Sequence, residues 1–182
     1  MKRIALLILS CSLPLVAQES ATCPMQKEHE SKCPMHDKHA KGSDHHADVD
    51  RRGDQAMGFA HDKTTHHFRL LADGGAIEVT ANSMKDEESQ KAIRQHLGHI
   101  AKMFADGDFS TPFAVHDQVP PGVPMMKAQR KQISYTYEEM PAGARVRIQT
   151  ANPDALKAIH EFLRFQIEEH ATGDAEQVTS QP

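Results

Sequence analysis

The fold is decided by residues 68–80, which read Phe-Arg-Leu-Leu-Ala-Asp-Gly-Gly-Ala-Ile-Glu-Val-Thr. Apolar and charged residues alternate on both sides of Asp73-Gly74-Gly75, and the apolar members are Phe68, Leu70, Ile77 and Val79. Neighbouring residues of a strand point to opposite faces of a sheet, and Asp-Gly between two alternating runs is typical of a tight turn. The stretch therefore predicts a β-hairpin with one apolar face.

A helix is predicted after this hairpin. Its apolar stripe has spacings of four, three, one and three residues and consists of Ile93, Leu97, Ile100, Ala101 and Phe104. Such spacing puts every member on the same side of an α-helix. Gly107 follows the stripe and is expected to end the helix.

The same order of elements recurs in the C-terminal half. A second hairpin is predicted around residues 141–143 by the alternating apolar residues Ile133, Tyr135, Tyr137, Val146 and Ile148. Asn152-Pro153 is typical of a helix cap followed by the first helical residue. The next apolar stripe consists of Leu156, Ile159, Leu163 and Ile167, and Gly173 is expected to close this helix.

The two halves also match in sequence. Lys91-Ala92-Ile93 and Lys157-Ala158-Ile159 lie at an offset of 66 residues, as do Gly107-Asp108 and Gly173-Asp174. We therefore predict an α+β domain over residues 57–174, with two ββα repeats at 64–108 and 131–174. The expected product is a four-stranded, mostly antiparallel sheet with both helices on one face.

Residues 109–130 join the two repeats and are rich in proline. Proline fixes the backbone and removes an amide donor, so Val119-Pro120-Pro121-Gly122-Val123-Pro124 predicts an extended, turn-rich loop. A connection of this length often carries function.

The N-terminus has the pattern of a secretory signal. Met1-Lys2-Arg3 is basic, residues 4–9 are apolar, and Ala17 is a small residue suited to cleavage. We expect a signal peptide over residues 1–17 and a periplasmic or secreted protein, the alternative being a lipoprotein anchored through Cys11. The apolar run is too short to cross a bilayer, so no membrane span is predicted.

Composition predicts disorder in two segments and argues against one class of partner. The arm, residues 18–56, and the tail, residues 175–182, lack the apolar periodicity that would offset the entropy of ordering. The net charge is -4, with no Trp and two Tyr, so the chain has neither the cationic excess nor the stacking residues of a nucleic-acid binder.

The arm contains a repeated group of soft metal donors. Cys23-Pro24-Met25 recurs as Cys33-Pro34-Met35-His36. The candidate ligands of the arm are Cys23, Met25, Cys33, Met35, His36, His39, His45 and His46. Thiolate, thioether and imidazole together suit copper or zinc. The alternative is a solvated tail in which Cys23 and Cys33 form a disulfide.

The Cys-Pro-Met-His segment resembles the short heavy-metal-binding motif of copper-handling bacterial transporters and efflux components. The resemblance covers about four residues in each copy, and it implies a copper or zinc ligand role for the cysteines and methionines.

Three histidines of the domain are further candidate ligands: His66, His67 and His116. Strand alternation places His66 on the core face with Phe68 and His67 on the open face with Arg69. The alternative for both is a hydrogen bond at the strand end. His116 would form an N/S set with Met125-Met126, unless these methionines fill gaps in the core.

A second histidine pair lies on the first helix. His96 and His99 are three residues apart, a spacing that suits two ligands of one metal ion. Their counterparts in the second repeat are Phe162 and Phe165, which favours packing positions instead. The counterpart of His170 is Phe104, and this comparison likewise favours packing.

The domain resembles a group of uncharacterised small exported bacterial proteins. The resembling stretches are Thr64-Thr65-His66-His67-Phe68, His116-Asp117-Gln118, Pro120-Pro121-Gly122 and residues 162–167. Some members carry the label aspartate carbamoyltransferase. That enzyme has two α/β domains and a Ser-Thr-Arg-Thr phosphate loop, to which Ser110-Thr111-Pro112 is not equivalent, so the resemblance implies export and no activity.

The leading hypothesis is an extracytoplasmic protein that sequesters or delivers copper or zinc. One alternative is a protein-interaction module or homodimer that uses the open sheet face, where the expected exposed residues are Arg69, Arg145, Arg147 and Gln149. The other is a small enzyme centred on the His116 loop. The sequence contains none of the common catalytic motifs, and no residue is assigned a catalytic role.

Overall fold

The two predicted hairpins pair into one antiparallel sheet. The first consists of β1 (Thr64–Leu71) and β2 (Gly74–Ala81), and the second of β3 (Ile133–Met140) and β4 (Gly143–Thr150). The strand order is β1-β2-β4-β3, and every neighbouring pair is antiparallel. The structure is a computed structural model that describes residues 38–179, with side chains from residue 44 onward.

Five α-helices accompany the sheet: α1 (Lys38–Met57), α2 (Glu87–Asp106), α3 (Ser110–His116), α4 (Val123–Ala128) and α5 (Pro153–Glu169). The predicted cap of α5 is confirmed, because the Asn152 side chain accepts hydrogen bonds from two backbone amides of the first turn. Gly107 ends α2 with a φ of 80°. None of the helices in the described part of the chain is long and apolar enough to cross a membrane.

A pseudo-twofold axis relates the two ββα repeats. The hairpins start 69 residues apart, at 64 and 133, and the long helices start 66 apart, at 87 and 153. Ile77 of β2 pairs with Val146 of β4, and these two residues are also 69 apart. The axis therefore passes between Ile77 and Val146, at the centre of the sheet.

Each long helix packs mainly on the strands of the other repeat. Helix α2 lies against β3 and β4, whereas α5 lies against β1 and β2. Both helices cover the same face of the sheet, and their apolar stripes form one core with Phe68, Ile77, Val146 and Ile148. The repeats consequently share a single core, and neither could bury its own helix alone.

Gly74 and Gly143 begin the second strand of each hairpin at equivalent positions of the repeat. A Cβ at Gly74 would lie 2.0 Å from the carbonyl oxygen of Ile148, and a Cβ at Gly143 would lie 2.0 Å from that of Val79. Real side chains cannot approach backbone this closely. The two glycines therefore allow β2 and β4 to pair along their whole length.

The proline-rich segment differs from its prediction. Residues 109–130 contain the short helices α3 and α4 where an extended loop was expected. Pro112 and Pro124 lie in the first turns of these helices, where the missing amide hydrogen costs nothing. Met126 is fully buried in the core, which confirms its packing role, while Met125 is 40% exposed.

The arm and the tail also differ from their predictions. The sequence predicts no regular structure for residues 18–56, whereas α1 begins at Lys38. Tertiary contacts hold this polar helix, since Val49 is completely buried and the Arg52 Nε donates to the carbonyl of Val115 at 2.6 Å. The sequence predicts that Gly173 closes α5, whereas the helix ends earlier, at Glu169. In the tail, the Thr179 amide donates to the Leu70 carbonyl beside β1.

Replacing Gly143 with Ala is expected to destabilise the domain by about 1–3 kcal/mol, because the new methyl group forces β2 and β4 apart. Urea denaturation measures the change as a lower midpoint. The matched control is Gly98→Ala in the interior of α2, where the nearest atoms to a new Cβ lie at 3.9 Å. That control should gain about 0.5–1 kcal/mol. Equal stability of the two variants would contradict the close approach.

Candidate functional site

A cavity of about 70 Å³ lies between the apolar face of the sheet and helices α2, α3 and α5. One water needs about 10–15 Å³ of such space, so the cavity has room for an ion with its ligands or for a very small molecule. Most of its wall is aliphatic or aromatic. The polar part of the wall consists of His66, His96, His116, His170, Gln166 and Thr111.

The four histidines come from four different elements. His66 lies on the inner face of β1, as the strand alternation predicts, and His96 lies on α2. His116 is the last residue of α3, and His170 is the C-cap of α5. They are widely spaced in sequence, so only the packing of the helices on the sheet brings them together.

The imidazole rings form a row along the cavity. The ring centroids of His66 and His170 are 5.9 Å apart with planes 5° from parallel, and those of His170 and His116 are 5.1 Å apart. Phe59 connects His66 to His96, with centroid separations of 6.1 and 5.7 Å.

The pseudo-twofold axis relates this half of the core to another half in which aromatic side chains occupy the equivalent positions. Tyr135 corresponds to His66 and Phe104 to His170, and the centroids of Tyr135 and Phe104 are 5.8 Å apart. Phe162 corresponds to His96 and also contacts Phe104, at 5.9 Å. His96 and His170 therefore occupy packing positions, as predicted, whereas His99, for which packing was also favoured, is exposed. Around the cavity, the same packing pattern is built from rings that carry nitrogen donors and acceptors.

Burial keeps these imidazoles neutral. It lowers the pKa of His66 and of His96 to about 4, and that of His170 to about 3. Neighbouring histidines contribute as a second cause, because two positive charges would lie close together in a medium of low dielectric constant. At neutral pH each ring therefore presents one donor and one acceptor nitrogen.

Most of these nitrogens have no hydrogen-bond partner in the described part of the chain. The Nε2 of His66 is buried without one, and the ring nitrogens of His96 and His170 make no hydrogen bond to any residue within 44–179. A buried polar group left without a partner costs about 1–3 kcal/mol. A ligand that bonded the Nε2 of His66 would recover this cost.

His116 differs, because the protein itself holds it. Its Nε2 lies 3.1 Å from the amide oxygen of Gln166, and its Nδ1 lies 3.4 Å from Oε2 of Glu169 without hydrogen-bond geometry. With the Gln166 amide rotated by half a turn, its nitrogen donates to Nε2, and Nδ1–H faces the carboxylate. Burial lowers the pKa of His116, against the opposing effect of these two partners.

Glu169 also anchors α1 to the domain. Its Oε2 lies 2.8 Å from Nε2 of His45, and its backbone carbonyl lies 3.0 Å from Nδ1 of His46. Two residues predicted as arm ligands thus contact the end of α5 instead. Glu169 is thereby the common partner of His45, on the surface, and His116, inside the cavity wall.

A cleft of about 210 Å³ lies beside the cavity, between α1 and β1. Met57, His66 and His170 line both the cleft and the cavity. Asp50 and His61 line the outer part of the cleft, where Asp54 raises the pKa of His61. Met57, His66 and His170 therefore lie where the cleft and the cavity adjoin.

The candidate ligand His67 does not line this cavity, as the strand alternation predicts. It lies on the opposite face of the sheet, with Nδ1 2.9 Å from the Asp174 carboxylate, which also accepts the Phe68 amide. The alternation of the strand dictates this separation.

Met57 is the lining residue that sequence reasoning missed. It ends α1 beside Gly58 and belongs to no apolar stripe, so no local pattern marks it. The side chain of His39 and the candidate ligands Cys23, Met25, Cys33, Met35 and His36 lie outside the part of the structure that is described. Within residues 44–179, no group of three or more His, Cys, Asp or Glu side chains is arranged to hold a metal ion.

The open face of the sheet carries a network of ion pairs. Arg145 pairs with Glu138 and Glu78, and Arg147 pairs with Asp73 and donates to the carbonyl of Gly75. These arginines already have anionic partners within the sheet. The face consequently offers a protein partner less than the sequence suggests.

Comparison of the chain with protein family models, with curated proteins and with solved structures gives no match. Function is therefore argued from the cavity itself.

Acid is expected to destabilise the domain through the buried histidines. Their pKa values lie below the ordinary 6.5, so below about pH 6.5 the unfolded chain takes up protons that the folded chain excludes. Each histidine with a pKa of about 4 then costs about 3 kcal/mol by pH 4. Urea denaturation from pH 7 to pH 4, with a chelator present, measures the loss.

The matched control is the double variant His66→Tyr/His170→Phe, which copies the Tyr135 and Phe104 pair found at the equivalent place in the other half of the core. It should lose much less stability between pH 7 and pH 4. An equal loss in both proteins would assign the acid sensitivity to other groups.

Removing the Glu169 carboxylate is expected to loosen α1, because His45 and His116 share it. Glu169→Ala should speed amide hydrogen exchange in residues 44–57 by about tenfold, while β2 and β4 keep their protection. Glu168→Ala is the control, since that neighbouring side chain is exposed. Unchanged exchange in α1 of the Glu169 variant would show that this carboxylate is not the anchor.

Proposed function

We propose that this protein binds a soft or borderline metal ion, copper or zinc, outside the cytoplasm, where it sequesters or delivers the ion. The arm captures the ion through Cys23, Met25, Cys33, Met35 and His36, and the folded domain holds it in the histidine-lined cavity. The observation that carries the proposal is the group of neutral imidazoles, among them that of His66 with its unpaired Nε2, which line one cavity together with Met57.

Neutral nitrogen and thioether sulfur are the donors that copper and zinc accept. A metal ligand must offer an unprotonated lone pair, and burial keeps that lone pair free on His66 and His170 at neutral pH. An ion bound there would also satisfy the buried Nε2 of His66. The cost of leaving this atom unpaired in the free protein is then recovered when the ion binds.

The chain order supports a transfer from the arm to the domain. Cys33, Met35 and His36 lie just before Lys38, the first residue of α1, and α1 ends at Met57 in the wall of the cleft. One helix thus connects the capturing donors to the cavity in sequence.

A small enzyme centred on His116 is the second candidate. The Glu169 carboxylate orients His116, which is an arrangement used in general base catalysis. Thr111 is the single hydroxyl side chain among the described residues that line the cavity, and it contacts the Met103 sulfur. No strong nucleophile accompanies the base, so the metal-binding reading is preferred.

The test is metal binding by the mature chain and by an arm-silenced chain, in which Cys23 and Cys33 are changed to Ser, and Met25 and Met35 to Leu. We expect the mature chain to bind copper or zinc at two places and the arm-silenced chain to bind at one. Isothermal titration with each ion measures both numbers.

The control is a peptide of residues 18–37, which contains the arm donors without α1. If neither chain binds copper or zinc more tightly than this peptide, the domain has no role in metal binding. If the arm-silenced chain binds no ion at all, the cavity requires another ligand.

A further inference from the structure

We propose that the ion held by the domain is monovalent copper, Cu(I), and that His66, His170 and Met57 bind it where the cleft meets the cavity. This inference rests on the proposed function and specifies the ion, its charge and its ligands. It also assigns a site that the sequence does not mark, since His170 and Met57 belong to no metal motif.

The position of three donor side chains favours this site. The side chains with soft or borderline donor atoms that line both the cleft and the cavity are Met57, His66 and His170. The rings of His66 and His170 are nearly parallel with centroids 5.9 Å apart, which places two imidazoles within reach of one ion.

The absence of charge on the donors of the cavity wall favours a monovalent ion. The cavity wall contains no carboxylate or thiolate among the described residues, and its donors are neutral. Asp50 lines only the outer cleft beside His61, and Glu169 faces His116 and His45. The cost of moving an ion from water into an apolar site rises with the square of its charge, so this wall favours a monovalent ion over a divalent one.

The kind and number of donor atoms also favour Cu(I). Structural zinc sites are four-coordinate and use histidine, thiolate and carboxylate ligands. No group of three such side chains is arranged for a metal within residues 44–179. Thioethers select Cu(I), and two imidazoles with one thioether meet the needs of this ion without a further anion.

The other half of the core shows that these nitrogens are not required for packing. Tyr135 and Phe104 occupy the equivalent positions with a centroid separation of 5.8 Å, close to the 5.9 Å between His66 and His170. An aromatic pair therefore fills this place in the fold equally well. Each pair leaves one buried polar atom without a hydrogen-bond partner among the described residues, the Nε2 of His66 in one and the hydroxyl of Tyr135 in the other, so the ring nitrogens are what distinguishes the histidine pair.

The experiment uses the full-length mature chain with the arm silenced as above and with His29, His36 and His39 also changed to Asn, so that His45 and His46, which contact Glu169, are the arm imidazoles that remain. Ag(I) serves as a probe that mimics Cu(I) without redox change, and Cu(I) is then measured by competition with a colourimetric chelator under anaerobic conditions. We expect one equivalent to bind and to shift the ring nitrogen signals of His66 and His170 in a ¹⁵N NMR spectrum. Zn(II) and Cu(II) should bind at least about 100-fold more weakly.

The variants are chosen to keep the fold. His66→Tyr/His170→Phe copies the Tyr135 and Phe104 pair of the other half of the core, and Met57→Leu keeps the side-chain volume. Each should weaken Cu(I) binding at least about tenfold without loss of stability at pH 7. The matched controls are His99→Asn on the exposed side of α2 and the exposed Met125→Leu, both of which should bind as the parent does.

The outcomes separate the inference from the proposed function. Binding of Zn(II) or Cu(II) in the cavity as tightly as Cu(I) overturns the assignment of a monovalent ion and leaves the metal-binding function intact. Cu(I) binding that survives both variants overturns the ligand assignment. Absence of any ion from the arm-silenced chain overturns the site together with the domain's part in the proposed function.

Discussion

The pairing of β2 with β4 is the contact on which the rest of the structure depends. It joins the two hairpins at Ile77 and Val146 and makes one sheet from two repeats. The helices can then cross over, each covering the strands of the other repeat, so that a single core forms. Gly74 and Gly143 permit this pairing, because any side chain at either position would meet the carbonyl oxygen of the opposing strand.

The two halves of the core carry different side chains at equivalent positions of the ββα repeats. This difference creates the candidate site. One half of the core closes with Phe104, Tyr135 and Phe162, and Phe109 stacks on Phe104 at 4.4 Å. The other half has imidazoles at the equivalent places. An imidazole ring packs in the same space as a phenyl ring but also offers a lone pair, so a packing position becomes a binding position without a change of fold. In the free protein, the cost of this change is that neutral histidines with partly unpaired nitrogen atoms lie in an apolar wall.

Helix α1 connects the polar N-terminal arm to this wall. It has few apolar contacts, and polar contacts at Glu169 and at the Val115 carbonyl hold much of its length. Such an element lies at the low end of local stability, because its contacts are few and largely solvent-exposed. Its docked position decides whether Met57 completes the cleft. Burial of Val49 and the contacts of Glu169 thus influence the site although neither residue lines the cavity.

The sequence by itself determined the elements and their repetition. Alternation around Asp73-Gly74 and around Gly143, the stripes of α2 and α5, and the cap at Asn152 all act between near neighbours, so local pattern predicts them. It also placed His66 and His67 on opposite faces. It could not predict α1, whose polar residues become helical only against α3 and α5, nor the short helices in the proline-rich segment. Only the tertiary structure brought Met57, His66 and His170 to one cleft, because they lie on three elements whose meeting depends on the crossover of helices about the pseudo-twofold axis. The lowered pKa values of the histidines have the same origin, since burial is a property of the assembled core and not of any local stretch of chain.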